Sequence, residues 1–142
     1  MSQISNIRKR SNKFVASLPV KVAQAVESVG DQIVQLNRKQ LLSSRLATGA
    51  PIKPFYSKPY AKKKGFKKPN LYAGGDFQEE MFLSVNENAQ TFFISSFDWK
   101  MRILINMYSV ELFGIEAKNL PKAQRISIRQ LAIVYNKYVY HA

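Results

Sequence analysis

The side chains that could take part in chemistry are few, and two small groups concern catalysis. The single histidine, His141, stands where chain ends fray, so we do not expect it to act as a catalytic base. The acidic cluster Asp76, Glu79 and Glu80 could serve a metal-dependent nuclease only if the fold brought further acids to it. We favour the simpler interpretation that these acids complement the dipole at the start of a helix.

A third group is larger and consists of lysines interleaved with aromatic residues between residues 49 and 70. Lysines neutralise phosphates and aromatic faces stack on unpaired bases, so the segment is the strongest candidate for a functional element. Three roles stay open for it, namely contact with nucleic acid, contact with another subunit, and simple solubility. Its aromatic residues, candidates for a subunit interface, are Phe55, Tyr56, Tyr60 and Phe66. Its lysines, candidates for contact with DNA or a protein partner, are Lys53, Lys58, Lys62, Lys63, Lys64, Lys67 and Lys68.

Other kinds of chemistry find no support in the sequence. The chain has no cysteine, which excludes disulfides, thiolate metal sites and cysteine nucleophiles. The pair Gly74-Gly75 lacks the flanking pattern of a phosphate-binding loop, and we expect it to form a sharp turn. We therefore predict a protein that is not an enzyme and has no catalytic residue, cofactor or metal site.

Positive charge is concentrated in the first half of the chain. The net charge is +13, and residues 1–70 hold 15 Lys and Arg against only Glu27 and Asp31. Residues 71–142 hold 7 charges of each sign. A second cluster of cations, Arg8, Lys9 and Arg10, lies near the N-terminus and joins the lysine segment as a candidate for contact with DNA or a partner. Such an uneven distribution of positive charge indicates that the binding partner is a polyanion or a protein with an acidic surface.

Hydrophobic patterning gives no sign of a membrane partner. The first residues are charged and lack the apolar stretch of a signal peptide, and no apolar run approaches the roughly 20 residues of a membrane span. We expect a soluble chain that is not exported and is made in the cytoplasm.

Helical periodicity is clearest after a start signal at Ser17 and Pro19. It predicts one long helix to about Leu46, ended by Thr48-Gly49, with Gly30 as the site of a bend or a close crossing. Residues before it, 1–18, form either a short amphipathic helix or a basic arm. The apolar stripe of the long helix, which we interpret as core, is Val22, Val26, Val29, Ile33 and Leu36.

The remaining predicted elements are a long loop, a hairpin and two further helices. Four prolines in residues 49–70 favour a long loop without regular structure, and alternation in residues 81–85 and 90–96 predicts a hairpin with a turn at 86–89. Asp98 is a candidate N-cap for a helix that ends before Gly114, and Pro121 opens the last helix. The apolar face of the last helix is predicted to be Ile128, Leu131, Ala132, Tyr135 and Val139.

The order of these features resembles the phage virion morphogenesis or tail-completion family of small neck and tail proteins. The similar segments begin with the glycine-proline turn after the long helix and extend over most of the chain, from about 19 to 142. They are Gly49-Ala50-Pro51, Tyr56-Ser57, Lys62-Lys63-Lys64, Asn70-Leu71-Tyr72-Ala73-Gly74-Gly75-Asp76-Phe77 and Leu120-Pro121-Lys122-Ala123-Gln124-Arg125.

The resemblance implies an α+β fold in a single domain, 19–142, with the long helix and the C-terminal helix packed on a small antiparallel sheet. It also implies a non-catalytic virion protein at the head-tail junction. Its partners would be further copies of itself in a twelvefold or sixfold ring, and portal, head-completion or tail proteins. Genome DNA in the channel would be a further partner for the basic residues. The alternatives are a nucleic-acid-binding protein outside the virion, and a component of a ribonucleoprotein.

Overall fold

The computed structural model describes residues 2–72, 75–88 and 90–141. Gly74 of the predicted Gly74-Gly75 turn, Ala73 before it, and Ala89 of the predicted hairpin turn lie outside these ranges. The helices and strands form an α+β fold, as predicted. They are α1 (Gln3–Ala16), α2 (Leu18–Ser28), α3 (Gly30–Leu42), α4 (Lys58–Lys64), α5 (Asp76–Glu79), β1 (Met81–Asn86), β2 (Thr91–Ser96), α6 (Met101–Met107) and α7 (Leu120–Tyr140).

The N-terminal segment is a helix rather than an extended arm. The Ser2 hydroxyl caps α1 by accepting a hydrogen bond from the backbone N–H of Ser5. Near the other end of α1, Phe14 is buried against two rings of α7, with centroid distances of 5.1 Å to Tyr135 and 5.8 Å to Tyr138. Helix α1 is therefore packed on α7 by aromatic contacts.

The predicted long helix is wrong as a single element, because it breaks into α2 and α3. The break lies at Val29, which leaves helical geometry just before Gly30. A Cβ on Gly30 would lie 3.4 Å from the Cβ of Leu83, so the backbone crosses β1 closely at this point. The expectation that Gly30 marks a bend or a close crossing is therefore confirmed.

The end of that helix is also earlier than predicted. Helix α3 ends at Leu42, and Ser44 adopts a left-handed conformation with φ of 57°. The N–H groups of Ser44 and Arg45 donate to the carbonyls of Leu41 and Gln40, which is the hydrogen-bond pattern of a Schellman C-cap. Glycine usually occupies the left-handed position at the end of a helix. Because a serine stands there in this chain, the sequence did not indicate that the helix ends at this point.

The hairpin is confirmed, with β1 and β2 antiparallel and Leu83 opposite Ile94. Because side chains alternate along a strand, Met81, Leu83 and Ile94 face inward and Phe82 and Phe93 face outward. Helices α2 and α3 pack on the inner face, against β1.

Helix α3 carries most of the core. Val29, Ile33 and Leu36 of the predicted stripe are buried and meet Ala123 of α7, which confirms them as core. A second row of α3, including Val34 and Leu41, packs with residues of the hairpin and of the chain before it. Helix α7 packs on α1, α2 and α3, and of these α2 and α3 also contact β1, so α2 and α3 lie between α7 and the sheet. Of the described helices, none has both the length and the apolar character of a membrane span.

Two buried amides of α3 fix the connection between α6 and α7. The Asn37 side chain donates to the carbonyl of Leu112 and accepts from the N–H of Gly114, at 3.0 and 2.9 Å. The Gln40 side chain donates to the carbonyl of Gly114 and accepts from the N–H of Glu116, at 3.1 and 2.9 Å. The backbone groups of this connection are therefore hydrogen-bonded to side chains of α3. In a sheet they would instead be paired with the backbone of a neighbouring strand.

The start of α6 differs from its prediction, and its end agrees with it. The Asp98 carboxylate accepts from the N–H of Lys100, so it caps the turn that leads into α6 rather than the helix itself. Helix α6 ends at Met107, before Gly114 as predicted, and a 3-10 turn at Val110–Leu112 follows it. In α7, Val139 is buried, whereas Ile128 of the predicted apolar face is 64% exposed.

Candidate partner-binding surface

The basic segment 49–70 contains a helix, α4, which corrects the expectation that its prolines preclude regular structure. Pro59 lies in the first turn of α4, where a missing backbone N–H removes no helical hydrogen bond. Gly65 ends the helix in the left-handed conformation, with φ of 87°. The prolines of this segment are therefore compatible with a short helix.

Lys64 organises the aromatic residues of this segment. Tyr56 contacts Tyr60 edge to face at a centroid distance of 4.8 Å, and Phe66 lies 6.1 Å from Tyr56. The Lys64 ammonium lies 5.3 to 5.6 Å from all three ring centroids and donates to the carbonyl of Tyr72 at 3.3 Å. Lys64 was a candidate for DNA or partner contact, but in the structure its charge is engaged within the chain.

Phe55 forms a second, smaller cluster. Lys53 and Lys67 place their ammonium groups 5.9 and 5.8 Å from its ring centroid. Phe55, Tyr60 and Phe66 each keep about two fifths of their surface exposed. The predicted interface residues are thus held in place by neighbouring lysines and still offer ring surface to a partner, and their role at a subunit interface stays a prediction.

The other candidate cations occupy two separate parts of the molecule. Arg10 on α1 donates to the carbonyl of Val139 at 3.2 Å, which ties it to α7. Arg8 and Lys9 are exposed on the same helix. The lysine segment lies instead beside α6 and the end of α3. Its remaining lysines, all exposed, are Lys58, Lys62, Lys63 and Lys68.

The basic segment also closes a cavity of about 230 Å³ against α6. Leu71, Phe77 and Leu104 supply apolar lining. Lys64 and Lys100 also line the cavity, and the Lys64 ammonium lies beside two of its tyrosine rings. The tyrosines are Tyr56, Tyr60, Tyr72 and Tyr108.

Tyr108 is the one described residue in this cavity with a clearly altered acidity. Burial raises the pKa of the Tyr108 hydroxyl, and the nearby Tyr56 and Tyr60 raise that pKa further. A tyrosine hydroxyl is protonated at neutral pH, and the raised pKa keeps this one available as a hydrogen-bond donor to a higher pH than an ordinary tyrosine. The cavity therefore combines apolar walls with a hydrogen-bond donor, which suits it to binding a ligand.

An exposed apolar surface that the sequence reading missed lies on β2, on α6 and in their connections. Phe97 and Trp99 are 74% and 77% exposed, although they are among the largest side chains of the chain. Phe97 stacks on Phe82 at 4.1 Å, and the Ser95 hydroxyl contacts the Met101 sulfur at 3.0 Å, which joins the hairpin to α6. We call outer apolar surface the set Phe93, Phe97, Trp99, Ile103, Met107 and Val110, each more than half exposed.

A sequence signal for part of this surface existed. Phe92, Phe93 and Ile94 are consecutive, and a strand can bury only alternate residues on one face. At least one large apolar residue of the run therefore had to point away from the core.

The acidic cluster shows no arrangement for metal binding. Asp76 and Glu79 lie in the first turn of α5, as expected, whereas Glu80 is the C-cap of this four-residue helix, so the expectation is wrong for Glu80. Within residues 2–72, 75–88 and 90–141, no group of three or more histidine or carboxylate side chains could hold a metal ion.

Comparison of the chain with family models, with curated proteins and with solved structures finds no match.

Proposed function

We propose that this chain is a structural virion protein that assembles into a homo-oligomeric ring at the head-tail junction of a phage. The observation that carries the assembly part of the proposal is the outer apolar surface. Exposed apolar patches of large side chains commonly mark protein interfaces, and the six exposed side chains of this surface all lie within residues 93–110. The resemblance in order and spacing to neck and tail-completion proteins supports the place of assembly.

The side chains of the outer apolar surface provide a driving force for association. Fully burying a large apolar side chain contributes about 1.5–3 kcal/mol, so Phe97 and Trp99 alone could supply several kcal/mol of the binding free energy. Trp is also among the residues enriched at energetically important interface positions.

A ring requires two different patches on each subunit, because a head-to-tail contact joins unlike surfaces. The outer apolar surface would be one patch. The exposed ring faces of Phe55, Tyr60 and Phe66 would be the other, which agrees with their predicted interface role. Lysines beside these rings would leave the rim polar and charged, as in other interfaces.

Native mass spectrometry tests self-association through one double variant and one matched control. We expect the wild-type chain to form a closed oligomer of fixed size as concentration rises. Phe97→Ser with Trp99→Ser should remain monomeric, because the substitutions remove the two most exposed rings of the outer apolar surface. Ile4→Ser should assemble like the wild type, since Ile4 is 78% exposed but lies on α1.

Two results would contradict the proposal. One is a wild-type chain that stays monomeric at every concentration reached. The other is an equal loss of assembly in the double variant and in Ile4→Ser, because association would then depend on general surface hydrophobicity.

The second candidate function is nucleic-acid binding outside a virion. The exposed cations Arg8, Lys9, Lys62 and Lys63 favour it, because no ion pair among the described residues involves them. This function predicts tight binding by the isolated monomer and no stable ring.

A further inference from the structure

A groove between α3 and α7 brings together cations that are far apart in the sequence. Its volume is about 460 Å³. The polar side chains that line it are Gln32, Gln35 and Lys39 from α3, and Lys122, Arg125 and Arg129 from α7.

Helical spacing explains why these residues converge. On each helix the three polar residues are three and then four positions apart, which places them on one face. Leu36 and Ile126 line the same groove and pack with the buried cluster around Ile33 and Ala123. The core contact between α3 and α7 therefore sets the distance between the two rows of cations.

The cations of the groove are not neutralised within the described part of the chain. No aspartate or glutamate lines the groove. The ion pairs among the described residues are formed by Arg45, Lys118 and Lys100, with Glu116 and Asp98. Four like charges that face one groove without a counter-charge create a local positive field that attracts an anion. All four are exposed and available to a ligand: Lys39, Lys122, Arg125 and Arg129.

We propose that this groove binds the sugar-phosphate backbone of a DNA duplex, without reading its sequence. The row from Lys122 to Arg129 extends over roughly 10 Å of helix at 1.5 Å per residue. Each strand of duplex DNA carries one charge per about 3.4 Å of the duplex axis, so a row of this length can face about three phosphates of one strand. A single small anion would use only part of the row.

The types of side chain also fit a phosphate backbone. Arginine presents a fork of N–H donors that matches phosphate oxygens, and glutamine side chains can donate to phosphate or sugar oxygens. No aromatic ring lines the groove, so it offers no platform on which unpaired bases could stack. These features favour a duplex over a single strand.

The groove is distinct from the sites that the sequence singled out. Lys122, Arg125 and Arg129 belong to the half of the chain in which positive and negative charges balance. The fold separates these cations from the acids of that half. A count of charged residues along the chain cannot show this separation. Binding at this groove is a property of one subunit and does not require the proposed ring.

Fluorescence anisotropy with a short labelled DNA duplex tests the groove at several salt concentrations. The test variant is Lys39→Gln with Arg125→Gln and Arg129→Gln. The matched control is Lys62→Gln with Lys63→Gln and Lys68→Gln, which removes three equally exposed charges from the basic segment. Circular dichroism and native mass spectrometry on both variants report folding and assembly separately from DNA binding.

We expect the wild type to bind, with affinity that falls steeply as salt rises. Each phosphate contact contributes about 0.9 to the slope of log affinity against log salt, so losing three contacts should reduce that slope by about 2.7. The control should keep most of the wild-type slope. An equal reduction in both variants, a reduction in the control alone, or no binding by the wild type would overturn the proposal.

A measurement on the unmodified sequence keeps the test independent of any variant. Acetylation of lysines, read by mass spectrometry with and without the duplex, should show protection of Lys39 and Lys122. Lys62 and Lys63 should be protected much less. Equal or reversed protection would place the contact elsewhere and overturn the groove as the binding site.

Discussion

Replacing Gln40 with methionine should destabilise the fold substantially, because this side chain holds the connection between α6 and α7. Gln40 is 1% exposed, and its amide satisfies the carbonyl of Gly114 and the N–H of Glu116. Methionine has a similar length but supplies neither a strong donor nor a strong acceptor. Gln40→Met therefore leaves two backbone groups without their partners.

The size of the effect follows from the burial of those groups. A buried polar group that loses its partner costs about 1–3 kcal/mol, and the added apolar burial of methionine offsets part of two such losses. We expect the free energy of unfolding to fall by about 2–3 kcal/mol. For a chain of this length the melting temperature should fall by roughly 5–10 °C.

Urea unfolding followed by circular dichroism measures this change, with Gln32→Met as the matched control. Gln32 lies on the same helix but is exposed, so its substitution should change the stability by about 0.5 kcal/mol or less. Equal stability of the two variants would refute the assignment of the buried amides as the support of this connection.

Three further predictions concern other contacts. Gly30→Val should lower the free energy of unfolding by about 1–3 kcal/mol, measured by thermal unfolding. Gly30→Ala should be tolerated, since a single Cβ just fits against Leu83. Equal losses of stability in the two variants would contradict the close crossing. Because burial raises the pKa of Tyr108, folding should lose stability as pH rises above the ordinary value of 10.0, where the unfolded chain ionises first. Tyr108→Phe should reduce this loss in unfolding curves measured across that range, and an unchanged curve would contradict it. Lys64→Met should speed limited proteolysis of residues 49–70, because it removes the ammonium shared by three rings and the bond to Tyr72; an unchanged rate would show that Lys64 does not hold the segment.

The sequence predicted those elements whose signals are local. Alternation identified the hairpin, and Pro121 marked the start of α7, because strand pairing and helix initiation each depend on a few neighbouring residues. The break at Val29 and the stop at Leu42 depend on β1 and on a serine in a left-handed conformation, which no spacing rule reports.

The candidate site was predicted only in part, for a physical reason. The lysine segment was identified by composition, but whether a lysine faces solvent or a ring depends on how α4 folds back on the chain. The basic groove depends on the crossing of α3 with α7, so its cations come from distant segments. The exposure of Phe97 and Trp99 likewise depends on tertiary packing.

Quantitative mass spectrometry of gradient-purified virus particles tests the proposed virion role most directly. It counts copies of this chain relative to the portal protein of the same particles. For a ring at the head-tail junction we predict a fixed ratio of about one or about one half. Absence of the chain from the particles, with the protein left in the lysate, would contradict the virion assignment and favour nucleic-acid binding outside the particle.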